Sequence, residues 1–358
     1  MQDRYFLGGA SPEGFYSDFP KEQAMRYGFL LKGGPGTGKS TLMRTVASVF
    51  ADERVSLYHC ASDPRSLDAV VLEDRGVFLA DATAPHEMSV SLPFVTGELV
   101  DLARALDPVS LAEHSEEIRS ASAENGMLHR ECRSVLGAVA AMRTVSMNIG
   151  EEALHKEKLS AFAARLCKRL MPKGVRRGGE MGEIRYRQCN ACTPQGDLLL
   201  VPEDHGIVHI KDSYGAAACF LISRFADLLT HAGIGCVLSR DLLLRDKPAV
   251  HLLVPQCKLA MVSCVLPQEH ETQVVSTIDL QRFYHNELLR RQRSLHRFAE
   301  KNEKLLRQRA ITLLQEALAV HDVLEKPYIA AQNRAVLEDM TADICHAIRS
   351  RFPKEYKM

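Results

Sequence analysis

No uninterrupted apolar run in this sequence approaches the roughly 18 residues that a membrane-spanning helix needs. The opening, Met1-Gln2-Asp3-Arg4, carries an early acid and leads into Gly8-Gly9, so the basic-then-apolar plan of a signal peptide is also missing. There is no excess of charge of either sign. Lys plus Arg number 45, Asp plus Glu number 45, and the formal net charge is zero. Such a chain has no global field to hold a nucleic-acid backbone or an anionic membrane, so only a local patch can make such a contact. These absences set membrane and secreted readings aside, argue against nucleic acid as a partner, and predict a cytoplasmic protein. The ten cysteines are scattered, several inside apolar runs such as Ala217-Ala218-Cys219-Phe220-Leu221, as expected of buried, reduced thiols. Cys189 and Cys192 have metal-ligand spacing, but no second pair or matched histidines stand nearby in sequence to complete a zinc site.

The 358 residues, 46% hydrophobic and 25% charged, suit about two globular domains at roughly 150 residues each. The segment that carries chemistry is Phe29-Leu30-Leu31-Lys32-Gly33-Gly34-Pro35-Gly36-Thr37-Gly38-Lys39-Ser40-Thr41. Gly33 through Ser40 fit G-x-x-x-x-G-K-[ST], a loop whose backbone N–H groups turn inward around a polyphosphate, which glycine alone permits at close approach. An apolar strand precedes it and an amphipathic helix, Leu42 to Phe50, follows, adding its positive N-terminal end. Lys39 is expected to reach the β- and γ-phosphates and Ser40 to ligate Mg²⁺. Two further strands are predicted at Val55–Cys60 and Val77–Asp81. Asp81, at the tip of the second, is the candidate Mg²⁺ partner, or else an acid that simply starts a turn. Alanine follows Asp81 where many ATP hydrolases have glutamate, so His86 or Glu87 is the candidate for orienting water; equally, Pro85-His86-Glu87 is a polar loop. Asp63 and Asp68 read as turn and cap residues, with contact to a phosphate acceptor as the alternative.

Shifted by 179 positions, the sequence repeats its pattern. Val208-His209-Ile210-Lys211 falls on Phe29-Leu30-Leu31-Lys32, and Gly215 on Gly36. With three residues inserted, Leu259–Ser263 falls on Val77–Asp81, and Thr193-Pro194-Gln195-Gly196 pairs with Ser11-Pro12-Glu13-Gly14. The second copy has Ala218 for Lys39, Cys219 for Ser40 and Ser263 for Asp81, so it is expected to bind no nucleotide tightly. Each copy is followed by helical pattern. In the first, Asp107-Pro108 starts a run to about Met142, and more follows from Glu151 to Met171. In the second, a long helix reaches toward Glu325 until Pro327 stops it. Such arms pack on themselves or on a partner, which leaves a homo-oligomer open. The arginines and lysines from Arg282 to Arg309 are interleaved with Glu287, Glu300 and Glu303, as on a solvated helix face; gripping nucleic acid or delivering an arginine to a γ-phosphate are the alternatives.

The combination L-K-G-G-P-G-T-G-K-S-T-L-M, Tyr58-His59-Cys60 with Ser62-Asp63-Pro64 and Ser66-Leu67-Asp68, and Asp81-Ala82-Thr83-Ala84-Pro85-His86 resembles a bacterial family of duplicated P-loop ATPases of uncharacterised function, some labelled nucleotide kinases. The resemblance covers nearly the whole chain and implies a fold and ATP binding without naming a substrate. The family keeps a working loop in its second half; this sequence does not. The expected architecture is therefore α/β: two tandem P-loop-like three-layer α/β/α domains with mostly parallel sheets, each followed by a long helical arm. Residues 1–171 form the domain with the intact site, 172–184 a flexible basic linker, and 185–358 the degenerate copy. The expected ligands are ATP and Mg²⁺, with Gly33, Gly34, Pro35, Gly36, Thr37, Gly38, Lys39, Ser40 and Thr41 as the nucleotide loop. The expected function is ATP hydrolysis coupled to conformational change. A small-molecule or nucleotide kinase is the alternative, and a nucleotide-gated binding module with negligible turnover is a third. A protein partner or a small-molecule acceptor is implied but not named.

Overall fold

A computed structural model of the chain describes residues 2–19, 25–84, 86, 88–171 and 181–354. The first half runs β1 (Gln2–Phe6), β2 (Gly9–Ser11), β3 (Gly14–Tyr16), β4 (Tyr27–Lys32), α1 (Lys39–Val49), β5 (Val55–His59), β6 (Leu67–Leu72), β7 (Val77–Asp81), β8 (Gly97–Asp101), α2 (Pro108–Glu113), α3 (Ser115–Ala153) and α4 (Lys156–Leu170). The second runs β9 (Ile184–Tyr186), β10 (Asn190–Thr193), β11 (Gly196–Leu199), β12 (Gly206–Lys211), α5 (Ala216–His231), β13 (Cys236–Ser239), β14 (His251–Val254), β15 (Leu259–Val262), β16 (Val274–Asp279), α6 (Asn286–Arg291), α7 (Arg293–Ala330) and α8 (Arg334–Arg351).

Two six-stranded sheets have the same plan. The first is ordered β1-β5-β6-β7-β4-β8, and the second, read from its other edge, β9-β13-β14-β15-β12-β16. In each, one strand, β6 or β14, runs antiparallel to both neighbours and the remaining pairings are parallel. The small hairpins β2–β3 and β10–β11 match to the hydrogen bond: Ser11 Oγ donates to Gly14 O and Thr193 Oγ1 to Gly196 O, both at 2.8 Å. The register keeps the sequence repeat, since Tyr27 pairs with Val77 as Gly206 pairs with Leu259.

Strand periodicity decides the layers. In the first sheet Tyr27, Phe29, Leu31, Val70, Leu72, Val77 and Leu79 face α1 and α8, while Leu30, Ala69, Val71, Phe78 and Ala80 face the other way. That second face packs on Ile207, Val237, Leu253, Ala260 and Val262 of the second sheet. The second sheet's opposite face carries α5 and α4. The expected three-layer α/β/α arrangement is therefore corrected: each sheet has helices on one face and the other sheet on its other face.

The helical sections are exchanged. Helix α4, which follows the first arm, packs on α5, and α8, which follows the second, packs on α1. The arms α3 and α7 lie against each other antiparallel, with Asn125, Cys132 and Ser146 meeting Ala317, Ala310 and His296. Each corner is stitched reciprocally to the opposite half, by Asp107 N→Ala331 O at 2.9 Å and Asn333 N→Ala105 O at 2.7 Å, and by His285 N→Ala153 O and His155 N→Phe283 O, both at 2.8 Å. The helices are longer than their sequence pattern indicated. Helix α3 is continuous across 143–150, and α7 passes through Pro327 to Ala330, the proline forgoing one i→i−4 hydrogen bond in the last turn. Asp107 caps α2 through its side chain and Pro108 takes the first helical position, as expected. In the basic stretch, Arg307 is paired with Asp197 at 2.7 Å and Arg291 with Glu287 at 2.8 Å. Residues 172–180 of the expected linker lie outside the described residues.

Candidate nucleotide site

The Gly33–Ser40 loop leaves β4 at the C-terminal edge of the parallel strands and delivers Lys39 to the first position of α1. Gly36 and Gly38 hold φ of 67° and 91°, the left-handed region that side chains other than glycine rarely adopt. The loop is closed on itself. Lys39 Nζ donates to Gly33 O at 2.6 Å and Gly34 O at 2.7 Å and lies 3.6 Å from Asp81 Oδ2. Thr37, buried, donates to Gly34 O at 2.9 Å. Asp81 Oδ1 accepts from Thr83 N at 2.8 Å, and Thr83 Oγ1 donates to Gly33 O at 2.8 Å. Ser40 Oγ accepts from Leu67 N at 2.9 Å. The strand end at Asp81 is thereby tied to the loop, and Ser40 to the neighbouring strand. Pro35 and Thr41 line the same cavity.

The far side of the loop is covered by the other half. Gly36 N donates to Glu325 Oε1 at 3.1 Å, Gln332 Nε2 donates to Gly36 O, and Tyr328 lies against Gly34. His321, 3.4 Å from Glu325, and the Gly36 N–H hold the Glu325 carboxyl below its ordinary range. A carboxylate thus already sits on a loop amide, and Ser40 and Asp81 are the hard oxygen donors that Mg²⁺ takes, so the residues fit a Mg²⁺-bound polyphosphate.

A cavity of about 1620 Å³ opens from the loop and is walled by β5–β7 ends, the arm residues His129, Arg130 and Arg133, and the α7–α8 corner. Asp63 is a turn residue, as expected, accepting from Ser66 Oγ and Arg65 Nε at 2.8 Å each. Asp68 is not a cap. It is the second residue of β6, a strand absent from the expected elements, and it is buried with Oδ2 3.4 Å from His86 Nε2. Burial lifts its carboxyl to about 6 and pushes the Cys60 thiol up. Glu87 and Pro85 lie outside the described residues. Cys189 and Cys192 join no group of metal-ligating side chains among the described residues.

The second loop differs at its first residue. Asp212 stands where Gly33 stands, and its carboxylate accepts from Ala218 N at 2.8 Å, Tyr214 N at 3.1 Å and Tyr284 OH at 2.8 Å. The helix N-terminus is capped by the chain itself. Asp212 was legible in the aligned repeat; Glu325, Tyr328 and Gln332 had no local signal, because they reach the loop through the exchange of arms.

No family model, curated protein or solved structure matches the chain. Among the described residues, no helix is long and apolar enough to cross a membrane, and all ten cysteines are free.

Proposed function

We propose that the chain binds ATP with Mg²⁺ at Gly33–Thr41 and hydrolyses it, and that filling the loop moves the α7–α8 corner. The observation that carries this reading is the convergence of Lys39, Ser40 and Asp81 at one loop whose amide already holds a carboxylate from α7. Lys39 leaves the Gly33 and Gly34 carbonyls to stabilise charge on the transferred phosphoryl group. Ser40 and Asp81 hold Mg²⁺, which when bound neutralises phosphate charge. His86, set beside Asp68 in the cavity wall, serves the placing of water; Glu87 is the alternative for that role. A phosphate displaces Glu325 from the Gly36 N–H, and α7 carries the displacement along an arm of 38 residues. The loop between a parallel strand and a helix supports this reading, although the sheets carry helices on one face only.

A second reading, transfer of phosphate to a small anionic acceptor, is favoured by the cavity. At about 1620 Å³ it exceeds the roughly 300–1000 Å³ of ordinary ligand pockets. Arg130 and Arg133 line it and form no ion pair among the described residues. Phosphate release from ATP–Mg²⁺ by the full chain, with Lys39→Ala as the blank, tests the first reading. Release that vanishes in the variant supports an ATPase. ADP formation only on adding an acceptor supports the kinase, and binding without release points to a switch.

A further inference from the structure

We propose that Cys60, Asp68 and His86 form a binding site for a divalent metal ion of the zinc class beside the phosphate loop. The thiol sulfur, a carboxylate oxygen and an imidazole nitrogen all lie within 4.8 Å of one another. Ligands about 2.0–2.3 Å from a tetrahedral zinc stand roughly 3–4 Å apart, so closure onto an ion needs only small side-chain shifts. Asp68 interacts with the Cys60 thiol and its Oδ2 stands 3.4 Å from His86 Nε2, so the three groups already face one another. Asp68 Oδ2 and His86 Nδ1 make no hydrogen bond, although the two side chains are only 8% and 9% exposed. A buried carboxylate oxygen without a hydrogen bond costs free energy that a bound cation removes. Phe15 packs edge-on against the His86 ring at 4.3 Å and steadies it.

The fold explains the meeting. Cys60 follows β5, Asp68 is the second residue of β6 and His86 follows β7. Because β6 runs antiparallel, its beginning lies at the edge where its neighbours end. All three side chains therefore reach the edge that carries the loop. The second half supplies an internal control. By strand register and sequence repeat its counterparts are Asp241, Val250 and Gln268, which share no such donor set. The trio is lost in the same half that lacks the counterparts of Lys39, Ser40 and Asp81.

Thiolate, carboxylate and imidazole together select zinc over Mg²⁺ or Ca²⁺, which prefer all-oxygen sites. Two anions and a neutral ring balance a divalent charge. Three protein ligands leave a fourth position, the pattern of zinc sites that hold a water or a substrate oxygen. All three residues line the cavity, so His86 places water as a ligand of the ion that holds it.

The test uses the full chain, stripped with a chelator and titrated with Co²⁺ and then Zn²⁺. One equivalent of Co²⁺ is expected, with a near-ultraviolet thiolate-to-cobalt absorption that Zn²⁺ abolishes. Cys60→Ser removes that absorption, and His86→Ala weakens binding by more than about 100-fold, since even outer-shell substitutions cost about 10–100-fold. Cys192→Ser and Lys39→Ala leave the spectrum unchanged, which separates this site from the nucleotide reading. Thermal melts of each variant establish folding, and the His86 variant decides the matter if the Cys60 variant does not fold. A wild-type chain without the thiolate absorption, or its persistence in Cys60→Ser, overturns the proposal.

Discussion

At the N-terminus of α1 the Gly36 amide meets a carboxylate delivered from 289 residues away, Glu325 on the second arm. At the N-terminus of α5 the anion is Asp212, in the loop itself, and the first arm contributes Met147, whose thioether end packs against Gly215. Both helices follow a left-handed glycine cap, Gly38 or Gly215, but the first loop has a second left-handed glycine, Gly36, and α5 starts two aligned positions earlier than α1. A helix N-terminus attracts an anion in either case. Where the anion belongs to the adjacent residue, its effective concentration is fixed and no ligand displaces it. Where it arrives on a separate helix, it is exchangeable. The comparison teaches that a helix N-terminus can be filled from within its own loop or from a distant helix, and that the arm residue facing the self-filled loop is apolar.

The sharpest way to break this contrast is Lys39→Ala, which should lower ATP turnover by about 10²–10³-fold, as loss of an electrostatic donor does. The thermal midpoint should stay put, and one bound nucleotide per chain, by equilibrium dialysis of the wild type, should be the maximum. A second stoichiometric ATP would remove the distinction between the halves.

His251, in β14, sharpens it through pH. It is 1% exposed, its Nδ1 accepts from Ser263 N at 3.2 Å, and burial holds its pKa at about 4. Asp241 opposes this shift and Arg143 reinforces it. The unfolded chain, with an ordinary value near 6.5, takes up the proton first. The contribution is therefore complete above pH 6.5 and shrinks as pH falls toward 4, by roughly 3 kcal/mol in all. Urea unfolding between pH 4 and 7 should show this slope, and His251→Asn, which keeps an acceptor for Ser263, should flatten it.

Asp212→Asn should cost about 1–2 kcal/mol, since the α5 amides and Tyr284 lose a charged acceptor. It should still bind no nucleotide at that loop, because Ala218, Cys219 and Ser263 offer nothing for phosphate or Mg²⁺. Denaturant melts and dialysis read both.

The smallest effect expected is at Glu325. Glu325→Gln, which removes the competing charge, should tighten ATP binding by up to about tenfold, the size of one charge-assisted hydrogen bond. Unchanged affinity with lost turnover would instead place Glu325 in the reaction.

Much of the local structure was readable before any coordinates. The glycines, Lys39 and Ser40 are spaced as a phosphate loop demands, β7 ends at Asp81 where its apolar run ends, and Asp107-Pro108 starts a helix. Asp68 was misread as a cap because an aspartate after the Asp63-Pro64 turn suits a helix start as well as a strand start, and the strand that follows it went unrecognised. Pro327 was taken as a stop because sequence does not show that only three residues of helix follow it.

What the sequence determined by itself is what near neighbours decide: the loop, most strand and helix types, and the absence from the second copy of counterparts to Lys39, Ser40 and Asp81. Tertiary structure decided what each surface meets. A run such as Val77-Phe78-Leu79-Ala80 announces that both faces of a strand are buried, but a helix and a second sheet bury them equally well. The face-to-face sheets, the exchange of α4 and α8, and the arrival of Glu325 at Gly36 follow from contacts between residues far apart in the chain, which no local pattern encodes.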